Sequence, residues 1–493
     1  MKRVFKFLFT TTKGLILMAI ALIAVVTAIW GTLSGPMVEW GAKDITVRLL
    51  GMELHPIERA GRIILLYHSI AMAVVAIEVY MITSIVPMEK RQQRTINGAV
   101  TAGYMLAMFG GLGFAYFGHN FILHGLFLVG QTLIYYAGVL LAIALWPWNP
   151  KYYVKDKQYA HSKKGVDLER VAFFTMAIAT LGSAIFGAVT GSFWGNGHDT
   201  FLAEDLIREP HKEALQLSII GHLHIMLTLL AVAITLIIGR WLDFKGFWHK
   251  LAMPMFIWGT VIITLGVWSV VPYETTAHTI IYVGSGLILI GALFLVIFGF
   301  DKIIREYNKE RGQKGNVIRA FKALFSDPLK FGTLWQMIFM NFVTTFIGIF
   351  MAIKLEDVMR VWPAREERIT LTGHWHILAG IIATIILLYY GDIIGLKGKI
   401  RKWYGWTIII GSDLAFTGAT LYSLKRLTIP EMLQDSAVKT QMLMIDIGLG
   451  AVLILLGALM VWRLIDLFKK NGRWAKEMED PELGSPATSN NAE

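Results

Sequence analysis

The stretch LTGHWHILAG, residues 371–380, places two histidines two positions apart at the start of a long apolar run, and IIGHLHIMLT, residues 219–228, does the same earlier in the chain. An apolar run of about 20 residues is long enough to cross the hydrocarbon core of a bilayer as a helix. Ionisable side chains within such a run are costly, and proteins keep them there mainly for function. The two Gly-His-X-His motifs therefore connect the fold of this chain with its chemistry.

The composition is that of an integral membrane protein. Of the 493 residues, 55% are hydrophobic and only 16% are charged, and the mean hydropathy is +0.56. We therefore predict an all-α integral membrane fold of about twelve transmembrane helices. In chain order, spans 1–12 are residues 14–35, 62–88, 97–118, 121–146, 170–194, 213–239, 250–271, 277–300, 332–353, 369–393, 402–424 and 440–466.

The Lys and Arg residues predict the orientation. If the N-terminus is cytoplasmic, most of the 46 basic residues fall in termini and loops on the cytoplasmic side, as the positive-inside rule requires. We expect both termini to be cytoplasmic in a multi-pass protein of the inner (cytoplasmic) membrane. Span 1 is followed by the other spans and is interpreted as an anchor, not as a cleaved signal peptide. The net charge of +11 reflects this topology and implies no nucleic-acid partner.

The chain is predicted to form one membrane domain, residues 1–475, followed by a polar tail, residues 476–493, whose composition is typical of disorder. Within the domain, residues 301–331 are predicted to form a cytoplasmic linker, partly amphipathic, along the membrane surface. The sequence contains no cysteine. This excludes a covalently attached c-type haem, an iron–sulfur cluster and a disulfide within this chain.

Two segments of equal length repeat without a gap. Residues 221–266 and 373–418 each open with Gly-His-X-His, cross the membrane, turn through a basic loop and return to a glycine. A weaker copy begins at Tyr67 with YHSIAMAVVAIEVYMITSIV. Because the copies start at spans 2, 6 and 10, we predict three four-helix pseudo-repeats, with binding sites where the copies meet.

Five histidines lie in the first third of spans 2, 6 and 10, at the predicted non-cytoplasmic end of each: His68, His222, His224, His374 and His376. Buried imidazoles need partners, and metal is the commonest one for several at one depth. Side chains at positions i and i+2 of a helix diverge by about 200°. The two rings of one motif therefore face different neighbouring helices and cannot bind one metal. Such imidazoles suit haem, whose axial ligands come from opposite sides of a flat macrocycle.

The other histidines divide into two groups. Three lie near the same membrane face as the intramembrane five: His119, His124 and His278. The remainder lie in predicted loops and are expected at the surface: His55, His161, His198, His211 and His249.

Taken together, these motifs resemble subunit I of the haem–copper oxidase superfamily. His68 matches the family's haem-ligating histidine in helix 2, Gly221-His222 its Gly-His motif in helix 6, and His374-Trp375-His376 its His-aromatic-His motif in helix 10. Lys425 and Arg426, which follow span 11, match the basic pair that binds haem propionates. The resemblance covers nearly the whole chain and implies twelve spans in three arcs. It also implies that His68 and His376 are the axial pair of a low-spin haem and that His374 is the proximal ligand of a second haem.

The sequence departs from this family at the copper site. The family takes two copper ligands from helix 7, but the corresponding stretch here, MPMFIWGTVIITLGVW, contains no histidine. We therefore predict no copper. Without copper, His374 is expected to pair with His222 or with His224, which would make the second haem six-coordinate. The remaining span 6 histidine would then face His119 or His124, where a third haem could be held.

These features predict a membrane electron-transfer subunit with two b-type haems, or three. It would pass electrons between quinol and a cytochrome or another membrane subunit of a redox complex. Two other functions remain open: a divergent terminal oxidase or nitric oxide reductase with a five-coordinate haem on His374, and a transporter or haem carrier with a twelve-span layout. The intramembrane acids Glu78, Asp413 and Asp446 would conduct protons, bind quinol or form structural polar pairs.

Overall fold

A computed structural model describes residues 2–55, 59–195, 214–312, 316–359, 361–362, 364–469, 472–474 and 476. His198, His211 and nearly all of the predicted tail lie outside these residues. Within them the regular structure is helical, and the one β-pairing is an isolated bridge between His161 and Asp167. Helices satisfy their backbone hydrogen bonds within one segment, which a chain in lipid requires.

Twelve long helices, α1 to α12, make up most of the described chain. Their bounds are Thr12–Gly31, Arg59–Ile85, Lys90–Tyr116, Phe121–Ala144, Leu168–Gly195, Ala214–Trp241, Phe247–Trp268, Glu274–Glu310, Pro328–Ile353, Ala364–Ile393, Gly398–Ser423 and Gln434–Phe468. Helix α9 changes to a π-helix over Phe339–Thr344. Shorter helices lie at Lys2–Thr10 and at Ala42–Leu50.

Eleven of the helices in the described chain are long and apolar enough to cross a membrane. Helix α11, which corresponds to the predicted span 402–424, is not among them, because Asp413 and several Gly, Ser and Thr residues lower its mean hydropathy. It nevertheless packs against α9, α10 and α12. The prediction of an all-α membrane protein is confirmed, with eleven candidate spans in place of about twelve.

The predicted linker 301–331 is largely helical. Helix α8 continues to Glu310, and two (i, i+4) ion pairs lie on this polar extension, Asp301–Arg305 at 2.6 Å and Lys302–Glu306 at 3.6 Å. A short helix, Val317–Leu324, follows, with exposed apolar side chains on one face. The predicted span 8 ends at residue 300, where the apolar run ends, because hydropathy takes no account of ion pairs. Ion pairs of this kind can extend a helix beyond its apolar segment.

Three helix pairs pack closely through glycines: α3 with α4, α7 with α8, and α11 with α12. A Cβ added to the first glycine of each pair would lie 2.9, 3.1 and 2.9 Å from the carbonyl oxygen of the second: Gly103–Gly130, Gly259–Gly284 and Gly411–Gly448. Small residues allow this close approach where no hydrophobic force drives helices together in lipid. Gly259 and Gly411 occupy matching positions in the two sequence copies.

Helix α6 is in contact with five other helices. It packs against α5, α7 and α10, and also against α2 and α8. The side chains on its different flanks therefore meet different helices.

Candidate functional site

The two histidines of α6 face different neighbours, as the 200° divergence of positions i and i+2 requires. His222 contacts Ser183 and Gly187 of α5. His224 contacts Trp375 on α10. One motif thus serves two different helix–helix boundaries.

The Nδ1 atom of His222 is hydrogen-bonded, and its Nε2 atom has no hydrogen-bond partner among the described residues. Its Nδ1 lies 3.0 Å from the carbonyl oxygen of Ser183 on α5. A carbonyl can only accept, so Nδ1 carries the proton and Nε2 keeps its lone pair. Metal-binding histidines commonly use the same arrangement, in which a carbonyl fixes the ring and its tautomer. The ring also lies directly against Gly187, where an added Cβ would be 2.6 Å from Nε2.

His224 has both ring nitrogens engaged. Its Nδ1 lies 3.1 Å from the carbonyl oxygen of Ile220, one turn earlier in α6. The indole N–H of Trp375 donates to Nε2 at 3.0 Å. Because the indole is a donor only, Nε2 must be the acceptor. A metal could reach His224 only after Trp375 moves.

His374 is partly buried and its Nδ1 has no hydrogen-bond partner among the described residues. Its ring lies against Gly348 of α9, where an added Cβ would be 2.8 Å from Cε1 and from Nε2. Beside it is a cavity of about 10 Å³, bounded in part by Thr344 and Thr420, with room for about one water molecule. An unbonded polar atom in such a place costs about 1–3 kcal/mol.

The boundary between α10 and α2 contains a tyrosine that sequence reasoning missed. The ring of Tyr67 stacks on His376 with centroids 4.3 Å apart and an interplanar angle of 28°. The neighbouring His68 turns toward α4: its Nδ1 is 3.3 Å from Gln131 Nε2, and its ring meets Phe127 edge-on. The structure therefore brings His376 to Tyr67 and His68 to Gln131. Tyr67 is the first residue of the weak third sequence copy, which was the available signal.

Five histidines, His68, His222, His224, His374 and His376, lie with Tyr67 on α2, α6 and α10, and we call these six residues the histidine cluster. Two contacts of the cluster join these helices directly, Tyr67 with His376 and Trp375 with His224.

The other predicted site residues lie elsewhere. His119 and His124 pack on the ring of Phe114, with centroids 4.8 and 5.1 Å away. The α6 histidines contact α5 and α10.

The basic pair after α11 contacts protein groups. Lys425 is buried, and its Nζ lies 3.2 Å from the carboxylate of Glu366 in the first turn of α10. Arg426 lies over the ring of Trp362, 5.7 Å from its centroid. In this conformation, Lys425 links the chain after α11 to the start of α10.

His249 was expected at the surface, and that prediction is wrong, because its side chain is completely buried. Its Nδ1 accepts the backbone N–H of Ala160 at 3.0 Å, and Nε2 lies 3.7 Å from Glu169. Glu169 pairs with Arg240 at 3.2 Å, and Asp167 lies 3.5 Å from the same guanidinium. His55 is exposed, as expected, and His161 is half-buried. Charged loop residues can become buried when the loop folds against helix ends, and hydropathy gives no sign of this.

This ion cluster joins the start of α5, the end of α6 and the start of α7. It lies at the opposite end of α6 from His222 and His224. Burial, and then repulsion by Glu169, raise the pKa of Asp167. The carboxylates of Asp167 and Glu169 thus share the guanidinium of Arg240 in a largely buried site.

The intramembrane acids differ in their surroundings. Asp413 accepts hydrogen bonds from Trp335 and Gln336 of α9 at 2.9 and 2.7 Å, which favours the structural interpretation for this residue. Glu78 is buried, and its Oε1 has no hydrogen-bond partner among the described residues. The Oδ2 atom of Asp446 also has none. Within the described chain, no three His, Asp or Glu side chains converge on a common metal position.

The fold and these sites define a multi-pass, all-helical membrane protein with a group of intramembrane imidazoles. Comparisons with protein-family models, with curated proteins and with solved structures find no match to this chain.

Proposed function

We propose that the chain is the haem-carrying subunit of an electron-transfer complex in the inner (cytoplasmic) membrane, with both termini in the cytoplasm. The observation that carries this proposal is the histidine cluster, in which five histidines lie on α2, α6 and α10 and the contacts of Tyr67 with His376 and of Trp375 with His224 join these helices. A hydrogen-bonded core histidine is common, but five at one level call for a common partner.

The donor set fits haem. Histidine is the usual axial ligand of b-type haem iron. His222 offers Nε2 while Ser183 holds Nδ1–H, and His374 has a buried nitrogen without a partner among the described residues. The packing around these donors is closed, since the cavity beside His374 measures about 10 Å³. Haem binding would therefore require the helices around α10 to separate.

Haem, when bound, supplies a one-electron carrier, and this chain's residues hold and orient it. The family resemblance implies that His68 and His376 form one axial pair. The contacts separate these two residues, since His376 stacks on Tyr67 whereas His68 meets Gln131 and Phe127 of α4. Pairing of His374 with His224 would require Trp375 to release His224 Nε2.

Three four-helix pseudo-repeats would explain this arrangement. Glycine contacts join α3 to α4, α7 to α8 and α11 to α12, and Gly259 matches Gly411 in the ungapped sequence copies. Binding sites in repeat membrane proteins lie where the copies meet, which supports a site among α2, α6 and α10.

Electrons would enter from quinol and leave through a cytochrome or another membrane subunit. The chain has no cysteine with which to hold its own iron–sulfur cluster or covalently attached c-type haem.

Reduced-minus-oxidised spectra of the purified protein, with and without carbon monoxide, test the proposal together with metal analysis. We expect the absorption of b-type haem, iron without stoichiometric copper, and little response to carbon monoxide, because both axial positions would be filled. A protein without haem absorption would contradict the proposal and favour a transporter. One copper per chain, or a strong carbon monoxide shift, would instead indicate a terminal oxidase or nitric oxide reductase.

A further inference from the structure

The first histidine of each Gly-His-X-His motif lies against a glycine of the preceding helix. His222 of α6 lies against Gly187 of α5, and His374 of α10 lies against Gly348 of α9. A Cβ at Gly187 would overlap the His222 ring, and one at Gly348 would lie 2.8 Å from two atoms of the His374 ring. Real Cβ atoms do not approach other atoms so closely, so the ring would have to move.

The two glycines share a second feature. Four residues before each is a small hydroxyl residue, Ser183 before Gly187 and Thr344 before Gly348, on the same helix face. The Ser183 carbonyl accepts from His222 Nδ1. Thr344 lies on the wall of the cavity beside His374, whose Nδ1 has no partner among the described residues. The seat of His222 thus includes a hydrogen bond to the preceding helix, whereas the Nδ1 of His374 makes none to the described residues.

We infer that Gly187 and Gly348 are positioning residues, each forming a seat that fixes the ring of the first histidine of a motif against the preceding helix. This inference rests on the proposed function, because its purpose is to orient a histidine that would hold haem. The absence of a side chain at the glycine leaves room for the ring, and at His222 the Ser183 carbonyl one turn earlier selects the tautomer. The second histidines have aromatic neighbours instead, His224 with Trp375 and His376 with Tyr67.

Alanine substitution in the holoprotein tests the seats. Gly187→Ala should remove or shift the same haem spectral component that His222→Ala removes, and Gly348→Ala the component that depends on His374. Gly191→Ala is the matched control, because it lies one turn further along α5 and a Cβ there meets nothing within 4 Å. It should leave spectrum and haem content unchanged. If Gly187→Ala and Gly191→Ala have identical spectra and haem content, the inference is overturned.

A double-mutant cycle separates this inference from the proposed function. Gly187→Ala should lower the melting temperature of the haem-free protein, whereas adding it to His222→Ala should not, because the ring it displaces is gone. A wild-type protein without haem would remove the proposed function, yet this coupling between positions 187 and 222 would persist. Equal losses from Gly187→Ala with and without the His222 ring would show that the glycine seats nothing.

Discussion

At the scale of single residues, contacts separate histidines that the sequence treats alike. In both motifs the first histidine lies on a glycine and the second contacts an aromatic ring. Of the five histidines in the cluster, only His224 has both ring nitrogens hydrogen-bonded to described residues, one of them by Trp375. The motifs are identical in sequence pattern, so this distinction arises from the helices around them.

The pairing of the axial ligands is a prediction at this scale. We expect His68→Ala and His376→Ala to affect different haem components, because His376 stacks on Tyr67 whereas His68 meets Gln131 and Phe127 of α4. Redox titration of the reduced spectrum in each variant measures this, with the exposed His55→Ala as control. Loss of one shared component in His68→Ala and His376→Ala would instead support the pairing that the family resemblance implies.

At the scale of helices, close glycine contacts determine how α11 meets α12. A Cβ at Gly448 would lie 2.7 Å from the backbone nitrogen of Ala415 and closer still to the Gly411 carbonyl. Gly448→Val should therefore force the helices apart and destabilise the protein by about 1–3 kcal/mol. Thermal unfolding in detergent measures the change. Gly450→Val, on the same helix with nothing within 4 Å, is the control, and equal losses in the two variants would contradict close packing here.

The ion cluster at the ends of α5, α6 and α7 gives a second prediction for helices. Arg240→Met would leave the carboxylates of Asp167 and Glu169, which are 8% and 4% exposed, without their cation. We expect a loss of about 3–5 kcal/mol in the free energy of unfolding. Arg305→Met is the control, because it breaks the exposed pair with Asp301 and should cost at most about 1 kcal/mol. Similar losses in both would show that burial is unimportant.

The pH dependence of the Arg240→Met loss follows from Asp167. Burial and then Glu169 raise its pKa above the ordinary 3.8, so the folded state holds the proton more tightly than the unfolded chain. The stabilising contribution of this proton is complete below pH 3.8 and is lost as the pH rises through the raised pKa. Without Arg240 that pKa rises further. The loss of melting temperature in Arg240→Met should therefore be larger at neutral than at mildly acidic pH, and a pH-independent loss would contradict this account.

At the scale of the whole molecule, the predicted orientation can be tested in a chain that has no cysteine of its own. Lys157→Cys lies in the exposed loop between α4 and α5, and Lys43→Cys is exposed between α1 and α2. A membrane-impermeant maleimide added to intact cells should label only the Lys43→Cys variant. Both variants should react once the membranes have been permeabilised. The opposite pattern in intact cells would reverse the topology that the basic residues predict.

Most of the helical layout was predictable, because a segment that crosses lipid must be both apolar and long. The predictions were wrong or incomplete where polar residues extend or bury an element. Helix α8 continues to Glu310 through ion pairs, α11 carries Asp413 bonded to α9, and His249 is buried against Ala160 and Glu169. These arrangements depend on partners distant in sequence, which hydropathy does not include.

The sequence by itself determined the class of this protein, its helices and the five histidines at one level, since composition and periodicity are local properties. Tertiary structure alone decided what each imidazole contacts. Tyr67 stacks on His376, the Ser183 carbonyl accepts a hydrogen bond from His222, and Trp375 donates one to His224, each between two different helices. The flank of a helix that a side chain occupies follows from its position in sequence. The neighbour that it meets there is set by how the helices pack, because close approach at glycines and side-chain shape decide which helices lie side by side.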